Sequence, residues 1–345
     1  MNDLSGATLG KYQVLERLGR GGMADVYRAY QPGMDRYVAI KVMHGHLSED
    51  PGFIERFKRE AQSVGTLRHP NIVQVIDFDS FGDEYYMVME YVEGDSMKAM
   101  LTKRGALPVT EALTLMIKIT DAVAYAHAAG MIHRDLKPAN ILLGKRNPNE
   151  PILTDFGIAK ILGASNLTGS GVAVGTPTYM SPEAGRGEKV DERADIYSLG
   201  IMLYEMVTGT LPYDADTPWA VILKHNNDPL PPPRSLAPDL PAGVERIILR
   251  ALAKNPDDRY HTAAEFRDAL RTALSTPDAE PAAATIATAP PSSNTLTTQL
   301  PKKTKSLSEP GAPAAVATSS RPSVGRLIGM PCWSSPLLHC LNSDC

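Results

Sequence analysis

Two short segments of the chain combine residue types that could bind a metal ion and a phosphate group. The loop Ile132–Asn140 contains an acid, two cations and an amide, and Asp155-Phe156-Gly157 begins 20 residues after Asp135. Each segment borders a short predicted strand, so the two strands would bring Asn140 and Asp155 to neighbouring places. Asparagine and aspartate oxygens suit Mg²⁺, which also binds phosphate oxygens. The alternative interpretation is a pair of ordinary polar turns.

A glycine-rich turn near the N-terminus could contact phosphate through its backbone. Gly19, Gly21 and Gly22 lie between two predicted strands. Glycines let N–H groups approach phosphate oxygens without obstruction by side chains. A dinucleotide-binding βαβ unit is disfavoured, because that unit requires a helix after the glycines and here a strand follows. Taken alone, the segment could also be a simple hairpin turn.

Lys41 and Glu60 are predicted to form an ion pair. Lys41 ends the apolar strand Val38–Lys41, so its ammonium group is expected to be partly desolvated and to need an anionic partner. Glu60 shares the inward face of a predicted helix with Phe57 and Val64. A carboxylate on such a face is costly unless it is paired.

The order of elements predicts an α+β fold with two lobes, a small β-rich one followed by a larger helical one. The first 90 residues are rich in β-branched and aromatic runs separated by turn residues, whereas helical periodicity prevails after residue 95. The predicted strands are Tyr12–Leu18, Val26–Tyr30, Tyr37–Met43, Ile72–Asp77, Tyr85–Glu90, Ile141–Leu143 and Ile152–Leu153. One helix is predicted to begin at Pro51, with Asp50 as its N-cap. The clearest helices after residue 95 are predicted over Val109–Ala129, Arg193–Val207, Val244–Ala253 and Thr262–Leu274.

Composition excludes several other classes of protein. The net charge of -4 over 345 residues gives no argument for nucleic-acid binding or for a polybasic membrane anchor. The longest apolar-rich stretch, Ile196–Val207, is too short to span a membrane and is predicted to be a buried core helix. All three cysteines lie in the last 14 residues, which suits a reducing, cytoplasmic location. Residues 276–323 are dominated by Pro, Ala, Thr and Ser, so 276–345 is predicted to be a disordered tail.

In the type and order of these motifs, residues 12–272 resemble a protein kinase. The resemblance implies an N-lobe over about 12–92 and a C-lobe over about 93–272. Gly19–Tyr27 is similar to bacterial eukaryotic-like (Hanks-type) serine/threonine kinases in particular, and Lys137 and Gly175-Thr176-Pro177 resemble serine/threonine rather than tyrosine kinases. Ala24 replaces the third glycine of the family's loop and Ser181 replaces the first alanine of its Ala-Pro-Glu motif.

The resemblance also assigns roles to residues. Asp135 would orient the attacking hydroxyl or accept its proton, with Lys41 and Lys137 as further catalytic residues, and Asn140 and Asp155 would hold Mg²⁺, or Mn²⁺ in its place. Asp195 would brace the catalytic loop. The residues expected around ATP are Leu18, Gly19, Gly21, Gly22, Val26, Ala39, Lys41, Glu60, Glu90, Val92 and Leu142, with Met89 as gatekeeper. Glu183 would pair with Arg259, and a stacked apolar spine would contain Val64, Val75, His133 and Phe156.

The function implied is ATP-dependent phosphorylation of Ser and Thr side chains of proteins, in bacterial signal transduction. It includes autophosphorylation of Thr168 and Ser170 within a transient homodimer, with Arg134 binding the phosphate. A pseudokinase scaffold would be favoured by loss of Lys41, Asp135, Asn140 or Asp155, and all four are present. A small-molecule kinase of the aminoglycoside or choline type would lack the long activation segment that ends in Ser181-Pro182-Glu183.

Overall fold

The computed structural model describes residues 3–22, 24–45, 51–82, 84–156 and 177–276, without the side chains of residues 51–54, 56, 57 and 60. The chain divides into the units Met1–Thr285 and Ile286–Cys345, and all described residues belong to the first. The predicted tail lies outside the described residues apart from Thr276. Among the residues described, no helix has both the length and the apolar character needed to cross a membrane.

The N-terminal lobe is built on an antiparallel sheet of six strands in the order β1-β2-β3-β4-β6-β5. Inward-facing side chains of β4, including Val38, Ile40 and Val42, are fully buried, as expected where apolar residues alternate along a strand. A helix, α1, follows β4 and packs beside β5. The elements are β1 Thr8–Leu9, β2 Tyr12–Arg20, β3 Ala24–Gln31, β4 Arg36–Met43, α1 Pro51–Thr66, β5 Val75–Phe81 and β6 Glu84–Glu90.

The prediction for β5 was wrong at its N-terminal end. The apolar run predicts a strand from Ile72, but β5 begins at Val75. Ile72 instead forms an isolated parallel bridge with Leu153, and the N–H of Val73 donates to the carbonyl of Leu153 at 2.9 Å. Ile72 and Val73 are β-branched, which favours strand pairing, but they pair with Leu153 in the C-terminal lobe and not with β6.

The C-terminal lobe packs helices around one central helix and carries a small sheet at its edge. Every residue of the central helix α5 from Ala194 to Val207 is buried, which accounts for its apolar character on all sides. Gly200 permits this packing, since a Cβ there would lie 2.9 Å from the Cβ of Ala251. The elements are β7 Gly94–Ser96, α2 Met97–Arg104, α3 Val109–Ala128, β8 Ile141–Gly144, β9 Asn147–Leu153, α4 Pro182–Gly185, α5 Arg193–Thr208, α6 Pro218–Asn227, α7 Pro233–Leu236, α8 Ala242–Ala251 and α9 Ala263–Ser275. The predicted α+β class with two lobes is therefore confirmed.

A buried ion pair fastens α4 to the segment between α8 and α9. The guanidinium of Arg259 donates to both carboxylate oxygens of Glu183, at 2.9 and 2.8 Å, and neither side chain is more than 5% exposed. Arg259 also donates to the carbonyls of Ala253, Arg193 and Lys254. The geometry satisfies the guanidinium completely, which is what makes burial of this cation tolerable.

Arg259→Met should lower the free energy of unfolding by about 3–5 kcal/mol, because it leaves the Glu183 carboxylate buried without a partner. Arg104→Met is the matched control. Arg104 also forms a two-pronged pair, with Glu111, but that pair is exposed and should contribute only about 0–1 kcal/mol. Urea unfolding followed by circular dichroism measures both. Equal losses for the two variants would contradict the role given to the buried pair.

Candidate active site

The hairpin of β8 and β9 brings the two predicted magnesium ligands to one place. Ile141 pairs with Leu153, and the N–H of Thr154 donates to the carbonyl of Asn140 at 2.9 Å. Asn140 therefore immediately precedes one strand and Asp155 follows the other at the same end of the hairpin. The sequence prediction that two strands deliver these side chains to neighbouring places agrees with this arrangement.

Asp135 lies at the centre of a small hydrogen-bonded group. The Nζ atom of Lys137 donates to Asp135 Oδ2 at 2.8 Å. The amide of Asn140 donates to the backbone carbonyl of Asp135 at 2.8 Å and to Oδ2 at 3.1 Å. The side chain of Asp135 remains 32% exposed. The result is an oriented carboxylate that a substrate hydroxyl could reach.

Lys41 pairs with Asp155 across the two lobes. Its Nζ atom lies 2.6 Å from Asp155 Oδ1, and the lysine side chain is only 18% exposed. Burial alone would raise the pKa of Asp155, but the charge and the hydrogen bond of Lys41 outweigh it and hold that pKa below its ordinary value. The predicted partner Glu60 has its side chain outside the described residues, so the Lys41–Glu60 pair stays a prediction.

Asn140 and Asp155 have oxygen atoms suited to a magnesium ion. Asn140 uses Nδ2 for Asp135, which leaves Oδ1 for a metal ion, and Asp155 uses Oδ1 for Lys41, which leaves Oδ2. In the described ranges no cluster of three or more His, Cys, Asp or Glu side chains could hold a metal by itself. Two protein oxygens fit Mg²⁺, which keeps water and takes substrate phosphate oxygens as its other ligands.

Asp195 braces the catalytic loop, as predicted from the resemblance. Its carboxylate is buried in α5 and accepts the N–H of His133 at 2.7 Å and that of Arg134 at 2.8 Å. Arg134 has φ of 65°, a left-handed conformation that costs free energy for a residue other than glycine. His127 Nε2 lies 2.9 Å from Asp195 Oδ2. Burial opposes ionisation, but these contacts keep the pKa of Asp195 below its ordinary value.

His133 is a neutral packing residue and not a base. Burial lowers its pKa. Its Nε2 lies 3.1 Å from the carbonyl of Thr154, which can only accept, and its Nδ1 receives the N–H of Asp135 at 3.3 Å. The ring packs against Phe156 with 4.7 Å between centroids. Phe156 and Val64 share one buried cluster against which Val75 packs, as the predicted spine requires.

Most of the residues expected around ATP lie on or beside the strands of the N-lobe, and Leu142 lies on β8 of the C-lobe. Lys41 pairs with Val26 on β3, and Ala39 pairs with Met89 on β6. Val26 and Ile152 pack against the cluster that contains Ala39, and Ile152 pairs with Leu142 on β8. Of the remaining predicted residues, Leu18, Gly19, Gly21 and Gly22 are exposed and Glu90 and Val92 are half-buried.

Other predicted residues lie outside the described residues or beside this site. Thr168, Ser170 and Gly157 fall in the segment that is not described, whereas Arg134 is described and exposed. Sequence reasoning missed two contacts. It gave no role to His127, whose only signal was its place near the end of a predicted helix. It also missed Lys41–Asp155.

A third feature that sequence reasoning missed holds the segment just before α4. The hydroxyl of Tyr179 donates to the buried carboxylate of Glu205 at 2.5 Å, and Lys98 donates to the same carboxylate at 3.1 Å. The carbonyl of Tyr179 accepts the hydroxyl of Ser198 at 2.7 Å. The segment is thus fixed on α5 at both the side chain and the backbone of Tyr179.

Comparisons with known proteins agree with this geometry. Residues 12–270 match the model of the protein kinase domain family. The serine/threonine-protein kinase PrkC of Bacillus subtilis is 43% identical over 265 residues, which are 77% of this chain and 41% of PrkC. The serine/threonine-protein kinase PknB of Mycolicibacterium smegmatis is 42% identical over 278 residues, 78% of this chain and 44% of PknB. The chain thus spans about two fifths of these relatives.

Solved structures give the same result for the fold. The PknI kinase domain of Mycobacterium tuberculosis, as a double mutant, has a TM-score of 0.65 at 32% identity and covers 79% of this chain and 100% of that one. Rad53 in complex with AMP-PNP has a TM-score of 0.64 at 26% identity, covering 76% of this chain and 65% of that one. The chain belongs to the protein kinase family, and its matched segment is similar to bacterial serine/threonine-protein kinases of the Hanks type.

Proposed function

We propose that this chain transfers the γ-phosphoryl group of ATP to Ser and Thr hydroxyls of proteins. The observation that carries the proposal is the oriented carboxylate of Asp135, held by Lys137 and Asn140, next to the Lys41–Asp155 pair. The family supports the use of ATP with a divalent metal, and Rad53 was solved with the ATP analogue AMP-PNP. The names of the relatives support protein substrates.

The proposed roles of the residues come from the family resemblance, and their positions support them. Bound Mg²⁺ would supply positive charge that neutralises the phosphates, and Asn140 and Asp155 would hold it. Mn²⁺ could take its place, because the same oxygen donors suit both ions. Lys41 would bind phosphate oxygens, for which its partly desolvated ammonium is suited. Asp135 orients the hydroxyl or takes its proton. Lys137, 2.8 Å from Asp135, offers a cation at the point of transfer.

The proposal extends to the whole matched region. Residues 12–272 form the catalytic domain, with the N-lobe over about 12–92 and the C-lobe over about 93–272. The residues predicted around ATP form the nucleotide site, and the backbone of Glu90 and Val92 faces adenine. A cytosolic location, suggested by the position of the cysteines, and a role in bacterial signalling remain predictions.

Lys41→Met and Asp155→Asn should each lower phosphoryl transfer to a generic protein substrate by about 100-fold or more, because transfer depends on positioning and charge. The circular dichroism spectrum should stay native-like. Lys11→Met is the matched control: Lys11 also pairs with an aspartate, Asp77, but is 61% exposed and lies outside the site.

The measurement is transfer of labelled phosphate from ATP with Mg²⁺, with small alcohols assayed beside the protein substrate. A Lys41→Met variant with the transfer rate of Lys11→Met would contradict the assignment of the ATP site. Transfer to small alcohols and none to protein would favour a small-molecule kinase.

The same proposal includes activation by phosphate on Thr168 and Ser170. The sequence Gly163–Gly171 is small, polar and glycine-rich, and a phosphate adds about -1.5 to -2 charges with three acceptor oxygens. Arg134 is exposed beside Asp135, on a backbone fixed by Asp195. A guanidinium can bind phosphate with two parallel hydrogen bonds, which suits the ordering of a loop. A second copy in a transient homodimer would be the donor enzyme.

Replacing both Thr168 and Ser170 by alanine should lower protein phosphorylation and leave the Kd for ATP nearly unchanged, because the phosphates would order the loop and not the nucleotide site. Ser165→Ala, in the same loop, is the control. Phosphosite mass spectrometry after incubation with ATP and Mg²⁺ identifies the modified residues. A double variant as active as Ser165→Ala, or an unmodified loop in an enzyme that turns over, would contradict the proposal.

A further inference from the structure

Asp25 is a buried carboxylate at the base of the glycine-rich turn, and none of the roles proposed above involves it. It is the second residue of β3 and lies directly opposite Arg20, the last residue of β2, so it sits where both strands join the turn. Its side chain is only 2% exposed, although aspartate side chains are usually solvated. A buried carboxylate is costly unless it is paired, so the partners of Asp25 indicate what it does.

Asp25 lies on the face of the sheet opposite to the residues expected around ATP. The next residue, Val26, pairs with Lys41 and packs against the cluster that contains Ala39. Successive side chains of a strand point to opposite faces, so Asp25 shares the other face with Tyr27, which belongs to the buried cluster of the N-lobe. Asp25 would therefore act on a bound nucleotide through the strands and not by direct contact.

The hydrogen-bond partner of Asp25 lies at the end of a third strand. Nε2 of His44 is 3.1 Å from Asp25 Oδ1. An ionised carboxylate only accepts, so Nε2 carries the hydrogen whether the imidazole ring is neutral or charged. His44 immediately follows β4 and is three residues beyond Lys41. The contact thus ties the base of the turn to the end of the strand that carries Lys41.

Two arginines of β2 flank the same carboxylate because of a β-bulge. The register of β2 against β3 shifts between Arg17 and Gly19, which makes Leu18 an extra residue. Without the bulge, Arg17 and Arg20 would point to opposite faces, since they are three residues apart. With it, Arg17 Nη1 lies 3.8 Å from Asp25 Oδ2 and Arg20 Nε lies 3.9 Å from Oδ1. One carboxylate on β3 therefore attracts cations of β2 in addition to its contact with the end of β4.

We propose that Asp25 is a positioning residue for ATP, which holds the glycine-rich turn at a fixed place relative to Lys41. Within the turn, the N–H of Gly21 donates to the carbonyl of Ala24 at 2.9 Å, and Ala24 directly precedes Asp25. Bound phosphates would contact the backbone of this turn and the ammonium of Lys41 together, so their affinity depends on how firmly the two are held in place. The inference rests on the proposed function, whereas the hold of Asp25 on the turn can be measured without nucleotide.

Asp25→Ala should raise both the Kd and the KM for ATP by about tenfold, the size of one lost hydrogen bond to a charged group. The kcat should stay nearly unchanged, because the substitution weakens binding and leaves the groups at the point of transfer in place. A partly unfolded enzyme would instead show a lower kcat with an unchanged KM. Glu16→Ala is the matched control: Glu16 pairs with Arg28 across the same two strands, but it is 58% exposed and farther from the turn.

A double-mutant cycle tests the link to β4. His44→Ala should raise the Kd in the same way as Asp25→Ala, and the double variant should raise it no further, because both substitutions break one link. His44→Gln should restore most of the affinity, since the amide of glutamine also carries an N–H donor. Calorimetric titration of the full chain with ATP and Mg²⁺ gives the Kd, and urea unfolding checks that each variant is folded. If Asp25→Ala does not fold, Asp25→Asn keeps the shape of the side chain and should raise the Kd in the same direction.

Hydrogen exchange of the Gly21 amide without nucleotide provides the second measurement. Exchange should be faster in Asp25→Ala than in Glu16→Ala, because loss of Asp25 loosens the turn. Equal exchange in these two variants, equal Kd values for them in a chain that binds ATP, or additive effects of the Asp25 and His44 substitutions would overturn the inference alone. Failure of the unsubstituted chain to bind ATP would overturn the proposed function, and the inference with it.

Discussion

The geometry of the active site depends on one buried carboxylate. Asp195 accepts backbone N–H groups from His133 and Arg134, at 2.7 and 2.8 Å, and so fixes the turn that carries Asp135. The turn is strained at Arg134, and strain of this kind persists only where the surroundings overdetermine it. The carboxylate belongs to α5, the most deeply buried helix of the lobe, so the catalytic loop is positioned by the hydrophobic core.

The two lobes meet through contacts that also define the site. The bridge between Ile72 and Leu153 joins the approach to β5 to the end of β9, one residue before Thr154. Lys41 crosses from β4 to Asp155 just beyond it. A nucleotide between the lobes would therefore lie among groups whose spacing depends on how the lobes are joined. If Lys41 binds phosphate as proposed, the phosphate would compete with its present partner, Asp155.

The sequence predicted those features that local patterns determine. Runs of β-branched and aromatic residues located β2 and β4, and an apolar-rich stretch too short to span a membrane identified α5 as a core helix. The loop containing Asp135 indicated its chemistry because its polar residues are adjacent in the sequence. Contacts between distant segments were not predictable in this way. Asp155 is 114 residues from Lys41, and Asp195 is 68 residues from His127. Ile72 is β-branched and therefore typical of a strand, but its pairing with Leu153 depends on the tertiary structure.

Amide hydrogen exchange of Asp195→Asn tests the central claim most directly. An asparagine at this position has one carbonyl oxygen and an NH₂ group that cannot accept the second N–H. The account predicts that the amides of His133 and Arg134 lose protection, while amides in the middle of α8 exchange as in the unsubstituted chain. Unchanged protection of His133 and Arg134 would show that something other than Asp195 holds the catalytic loop.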